Sequence, residues 1–473
     1  MEHARVRDAV DRAWADHVIP SLSELVEIPA VSPAYDPSWR AGGQLHAAVD
    51  HVRRWVESSG LPGVACQVVE LDGRTPLLLV EVPATAGSAS SGTVVFYGHL
   101  DKQPALGEWS PGLGPWQAVR RGDRLYGRGS VDDGYAAYAA VTALGAVRAA
   151  GGEHARAVVL LETGEESGSP DLPVYLEHLS DRLGDVTLVV CLDSGGDDYE
   201  RLWLTSSLRG AVQATVTVRV LDTPVHSGLG GGIVPNPFLV MRGLLDRLED
   251  PATGEVRVPE MHAPLPDGLR EEVEELVALD PGRVTRRFPL VEGVVPLVAD
   301  DVELIVNNTW RPALSVIGAA GLPEASSAGA VLLDAVSLRL SFRLPPPVDA
   351  ETARAALEKV VTTDVPYGAR VEVTDAMTIN GWHAPAVAPW LSAALVDVAE
   401  QVYGEPCRSA GLGGGIPFME TLGRRYPDAQ FVVTGALGPD SNLHVPDEWL
   451  NIPFARQLTE SIAHIVDAHS AGR

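Results

Sequence analysis

Cysteine is scarce: Cys66, Cys191 and Cys407 are the whole complement of 473 residues, far apart and without a CxxC pair. So odd and sparse a set excludes a disulfide framework and fits a reducing cytoplasm. Positive charge is also short, with 36 basic against 63 acidic residues and a formal net charge of -27. A field of that sign repels nucleic acid and anionic membrane surfaces, so neither is expected as a partner. No uncharged apolar stretch is long enough to span a bilayer. The opening MEHARVRDAVDRAWADHVIPSLSELV carries charges throughout and has no apolar h-region, so no signal peptide is expected and the chain reads as soluble and cytoplasmic. Nucleotide signatures are missing too. The hexapeptide GLGGGI occurs at 228–233 and 411–416, but neither copy extends to GxGxxG or GK[ST]. Its glycines read as tight turns near something bound.

What the chain has is ample core and a clear alternation of elements. With 45% hydrophobic and 21% charged residues over 473 positions, it is globular and exceeds one ordinary domain. Helical spacing covers about 3–28 and 46–58. Apolar runs at 77–82, 93–97, 157–161 and 186–192 read as strands, separated by helical patterns at 135–150 and 172–179. That order predicts an α/β fold with a mostly parallel central sheet. Near residue 210 the pattern changes to strict alternation, in AVQATVTVRVL at 211–221, AVSLRLSFRL at 335–344 and again at 369–374, with a helix at 235–248. Helices at 389–403 and 452–468 and a strand at 430–434 then restore the α/β character. The expectation is a discontinuous catalytic domain, 1–208 with 377–473, and an inserted α+β domain over 209–376.

Acidic and histidine residues recur where the predicted strands end. His99 and Asp101 follow the strand ending at Tyr97, Glu165 and Glu166 follow that ending at Leu161, and Asp193 closes the strand over 186–192. In an open α/β sheet, ligands bind at the carboxyl ends of the strands, so these residues are expected along one edge. Carboxylate oxygens and imidazole nitrogens are the donors that hold zinc and harder divalent cations. His99 and Asp101 are two apart and share a face in extended backbone, which allows a metal-bound imidazole whose other nitrogen is held by the carboxylate. The plainer alternative is a strand-end histidine with a capping aspartate. Asp132 and Asp133, ahead of the helix at 135–150, read equally as a helix N-cap. Glu165-Glu166 alone would be a solvated pair, and His444 an ordinary loop histidine.

Taken together, YGHLD, GRGSVDDG, GEESGS, the strand ending at Asp193, HSG at His226, FRLPP at Arg343, GGGIP and HVPDE resemble metallopeptidase family M20. That family includes carnosinase-like dipeptidases, aminoacylases, glutamate carboxypeptidases and the acetylornithine and succinyl-diaminopimelate deacylases. The motifs stand in family order over about residues 95–450. The resemblance implies a zinc-peptidase-like catalytic domain and two divalent metal ions, zinc in first place with manganese or cobalt as alternatives. Asp132 would bridge both ions, His99 and Asp193 would complete one site, and Glu166 and His444 the other. Glu165 would be the general base and Asp101 would orient His99. The insert would be a lid and dimerisation domain of a homodimer, with His226 reaching the partner's site and Arg343 gripping the substrate carboxylate.

Several positions depart from that family pattern: Gly134-Tyr135 follow the aspartate pair without a lysine, Gly415 replaces a serine, Gly411-Leu412 replace Arg-Glu, Ala330 replaces a hydroxyl residue, and the final motif reads HVPDE. The ligands and base are untouched, so the departures bear on substrate choice. The expected activity is hydrolysis of the amide bond of a dipeptide or an N-acyl amino acid. The alternatives are a deacylase narrow for one N-acylated metabolite, and a binding protein that keeps the fold without catalysis. The second would be expected to have lost a ligand or the base, and this chain has lost neither.

Overall fold

The computed structural model describes residues 1–88 and 91–472. The chain divides into two compact units. The first comprises Met1–Thr205, Ala384–Ala410 and Thr421–Arg473, and the second Ser206–His383 and Gly411–Glu420.

The first unit is built on a six-stranded sheet in the order Ala65–Val69, Leu77–Val82, Arg156–Glu162, Thr93–His99, Val186–Cys191, Gln430–Val433. The last four run parallel, and Leu77–Val82 alone is reversed, pairing antiparallel with both of its neighbours. The mostly parallel sheet read from the sequence is therefore present. Its central strands are apolar nearly end to end because both faces are covered: every residue of Thr93–His99 and Val186–Cys191 is buried. The Ala-rich helix Gly134–Ala149 is buried almost all round. Its small side chains let the helix Ile452–Ala471 and the first helix His3–Ala13 lie close against it.

The second unit is a four-stranded antiparallel sheet in the order Ala313–Ala320, Ala335–Leu344, Gly210–Arg219, Arg370–Ile379. One face packs on the helices Pro237–Leu248 and Ala350–Thr362, and Val212, Val216, Leu340, Phe342, Leu244 and Leu357 form its core. The alternation in the sequence is this half-buried geometry, the second of the strands being buried at every other position over most of its length. The edge strand Ala313–Ala320 escaped the sequence reading. Its ALSVIGAA does not alternate, a bulge interrupts it between Val316 and Gly318, and most of it is exposed. The strand Ala65–Val69 was missed for a similar reason: as a sheet edge it is half exposed.

Candidate metal centre

The parallel strands deliver the chemistry. His99 is the last residue of Thr93–His99 and pairs across to Glu162, the last residue of Arg156–Glu162. Glu165 and Glu166 form the single turn Glu165–Ser167 just beyond that neighbour, and Asp193 lies two residues past Val186–Cys191. Three adjacent strand ends thus carry the donors to one edge of the sheet, as their spacing had predicted.

Asp132 stands at the middle of the cluster. Its Oδ1 lies 3.2 Å from His99 Nε2 and its Oδ2 2.9 Å from His444 Nε2. Asp133 stands at the N-cap position of the helix Gly134–Ala149, as the sequence allowed, but its side chain makes no cap hydrogen bond. Asp133 instead turns inward, where its Oδ2 accepts the His99 N–H at 3.3 Å. Gly98 permits this approach, since a Cβ there would sit 2.7 Å from that oxygen. Asp193 Oδ1 is 3.9 Å from His99 Nε2, and Glu166 Oε2 is 3.3 Å from His444 Nε2. Two groups result that share Asp132: His99, Asp132 and Asp193, and Asp132, Glu166 and His444, with ligand atoms in each within 4.8 Å of one another.

Asp101 works from behind. Its carbonyl oxygen lies 3.0 Å from His99 Nδ1 and its Oδ1 3.5 Å away. With Nδ1–H donated to that carbonyl, the lone pair of His99 is at Nε2, facing Asp132 and Asp193. The two carboxylate oxygens accept the backbone N–H groups of Glu165 and Glu166 at 3.2 and 3.1 Å. One aspartate thereby fixes both the imidazole and the turn of the two glutamates.

The electrostatics are those of a site short of positive charge. Burial, followed by repulsion from Asp193, holds the Glu165 carboxyl well above its ordinary range. Burial and then Asp132 do the same for Glu166, and Asp193 is likewise raised, by burial first. Burial would raise Asp132 as well, but the hydrogen bonds from His444 and His99 outweigh it and hold it low. For His99, burial favours the neutral ring, yet Asp101 and Asp132 pull the imidazole well above its usual value. Glu166 Oε1 is buried without a hydrogen-bond partner. A crowd of buried carboxylates with an unpaired oxygen and two imidazoles is the donor chemistry of a divalent-metal centre.

Some supporting residues gave no sequence signal. Glu448 is fully buried beside Trp449. Its Oε2 accepts from Arg128 Nη1 at 2.6 Å, and its Oε1 from the N–H groups of Gly129 and Val131 at 2.9 and 3.4 Å. Arg128 Nη2 also donates to the Val445 carbonyl at 3.3 Å. This pair ties the loop bearing His444 to the loop bearing Asp132. Gln103 Nε2 donates to Glu166 Oε2 at 2.6 Å. The HVPDE motif contained Glu448, but an acid after an aspartate reads as surface until its loop is seen to turn inward.

His226 and Arg343 belong to the second unit. His226 is exposed, ends the two-residue strand Val225–His226, and accepts the Gly228 N–H at its Nδ1. Arg343 is half-buried near the end of Ala335–Leu344, facing Ala211 and Ala313. Its neighbour Arg209 is buried, with Nη1 lacking a hydrogen-bond partner. Burial and then the charge of Arg343 draw the Arg209 pKa down to about 10. The Arg209 Nε donates to the Gly413 carbonyl, within the second glycine-rich hexapeptide.

The family model described as peptidase family M20/M25/M40 matches residues 95–468. The chain belongs to this family. Its M20 membership makes it a metal-dependent peptidase, and the cluster supplies candidate ligands. Among curated relatives, the cysteinylglycine-S-conjugate dipeptidase of Corynebacterium striatum is 28% identical over 362 residues, covering 75% of this chain and 76% of that one. The human Beta-Ala-His dipeptidase is 30% identical over 290 residues, 61% of this chain and 55% of its own length. Of solved structures, the di-peptidase Dug1p of Saccharomyces cerevisiae has a TM-score of 0.74 at 23% identity, covering 100% of this chain and 99% of that chain. The M20 metallo-carboxypeptidase Sso-CP2 of Sulfolobus solfataricus has a TM-score of 0.77 at 20% identity, covering 96% and 100%. At these identities the two structures speak for the fold.

Proposed function

We propose that the chain hydrolyses the amide bond of a small unblocked dipeptide, using two divalent ions that share Asp132. One observation carries the reading: the Asp132 carboxylate is divided between two imidazoles, Oδ1 toward His99 Nε2 and Oδ2 toward His444 Nε2. A single acid thereby joins two ligand groups, His99 and Asp193 completing one and Glu166 and His444 the other. We assign zinc, whose usual donors are imidazole and carboxylate. Held by His99, Asp193, Asp132, Glu166 and His444, such a pair would supply an acidified water and a polarised amide carbonyl.

The chain's own residues do the rest. Glu165 takes the proton of the attacking water and returns it to the leaving amine. Asp101 holds Glu165 in place through its backbone N–H and keeps His99 in the tautomer that presents Nε2. Arg343 offers a planar fork to the substrate carboxylate. The unpaired Nη1 of Arg209 beside it supports an anion-binding role for this strand end. His226 donates to the developing oxyanion, from the partner subunit of a homodimer. The exposed Leu229, Ile233 and Val331 around it support a contact surface there. The names of the relatives, for cysteinylglycine conjugates and for β-Ala-His, favour a dipeptide over an N-acyl amino acid. All three cysteines are free thiols, which suits the cytoplasm.

Metal analysis tests the shared ligand. Asp132→Ala should lose both ions of the cluster from zinc-reconstituted protein, and a variant still holding both would refute the sharing.

A further inference from the structure

A second place in the first unit gathers metal-ligating side chains that the reading above leaves unused. His3 opens the helix His3–Ala13, while Glu460 and His464 stand four apart on Ile452–Ala471 and so share one face of it. One donor atom from each lies within 4.8 Å of the other two. Glu460 and His464 are only 3% and 7% exposed. Three atoms here are buried without a hydrogen-bond partner: His3 Nδ1, Glu460 Oε1 and His464 Nε2. Buried polar atoms are normally satisfied, so three orphans in one cluster call for a missing partner.

The other polar atoms of His3 and Glu460 are engaged in the way metal ligands are usually held. His3 Nε2 lies 3.0 Å from Asp397 Oδ2, and a proton donated there leaves the lone pair on the orphan Nδ1. Arg7 Nε donates to Glu460 Oε2 at 3.1 Å, which leaves Oε1 available. Burial and then His3 pull the His464 pKa down to about 4, keeping its ring neutral. The two rings stack, with centroids 3.8 Å apart and planes at 27°. Stacked rings aim their lone pairs side by side, so loading requires the partly exposed His3 ring, at the start of its helix, to turn out of the stack with the exposed Asp397 carboxylate following it.

We propose that His3, Glu460 and His464 form a further zinc-type site that pins the first helix to the last. Two imidazoles and one carboxylate are a recognised zinc set, and imidazole donors disfavour calcium and magnesium. The test measures zinc bound by untagged full-length protein after equilibrium dialysis at buffered free zinc. Because His464 is buried and its removal could impair folding, the variant is His3→Gln, at the more exposed helix end. It should bind one equivalent less than the parent while dipeptide cleavage is unchanged. The Asp132→Ala variant separates this site from the first cluster: it should keep an equivalent that Asp132→Ala/His3→Gln lacks. Zinc should also raise the melting temperature of Asp132→Ala and leave that of the double variant unmoved. Equal zinc content with and without His3→Gln, or equal melting shifts, would overturn the site whatever becomes of the first cluster.

Discussion

At the scale of single residues, the proposed mechanism gives the proton to Glu165 and the ions to other side chains. Glu165→Gln should slow turnover by about 10²–10⁴-fold, the usual contribution of a general base. Its metal content should match the parent's, because Glu165 lies outside both ligand groups. Turnover and metal measured on the same sample distinguish this from loss of the centre. Glu448 is a different case, touching neither reactant nor any ligand group. Glu448→Ala leaves the buried Arg128 without its counterion and should cost about 3–5 kcal/mol in urea unfolding. A loss below about 1 kcal/mol would deny the pair its role in joining the His444 and Asp132 loops. The sequence disclosed the donors but not this support. His99, Asp132 and Asp193 announce themselves at strand ends, whereas the burial of Glu448 depends on how a distant loop returns.

Elements carry the geometry that makes those donors converge. The strand ending before Asp193 is held by a backbone bridge between Asp193 and Gly435 and a second between Gly195 and Leu437. A Cβ on Gly435 would lie 1.8 Å from the Ser194 carbonyl oxygen, against backbone that has no room to yield. Gly435→Ala should therefore displace Asp193 and weaken zinc binding by about 10-fold or more, the scale seen when a ligand's support is removed. Competition with a chromophoric chelator would read this directly, and unchanged affinity would count against it. The parallel strands were legible because runs such as VVFYGH are apolar on both faces, and the helix Gly134–Ala149 because it is continuous and rich in alanine. What was not legible was Ala313–Ala320 and the backbone bridge at Gly435. The first is an edge without alternation, and the second is a contact between chain segments far apart in sequence.

For the whole molecule, acid sensitivity can be assigned a contributor remote from the metal centre. His154 is buried, its Nδ1 bonded to the Ala155 carbonyl and its Nε2 accepting from Arg148 Nε at 2.7 Å. Burial, only partly offset by that carbonyl, lowers its pKa below the ordinary 6.5. The unfolded chain therefore takes up this proton first on acidification. Its contribution to stability is intact above about 6.5 and is lost as pH falls through the lower folded value. His154→Gln should flatten that limb of stability against pH, measured by urea unfolding from pH 8 to 5, and an unaltered slope would contradict the assignment. The mostly parallel sheet was readable at this scale. The packing of His3 against His464 of the C-terminal helix was not, since the 460 residues between them hide any local pattern.

Amine release tests most directly whether this M20 chain is a metal-dependent dipeptidase. Zinc-reconstituted protein would be assayed on matched unblocked dipeptides and N-acyl amino acids. Unblocked dipeptides should be cleaved, a chelator should abolish cleavage and zinc should restore it. Cleavage of acyl substrates alone, or no amine release with the metals verified as bound, would contradict it.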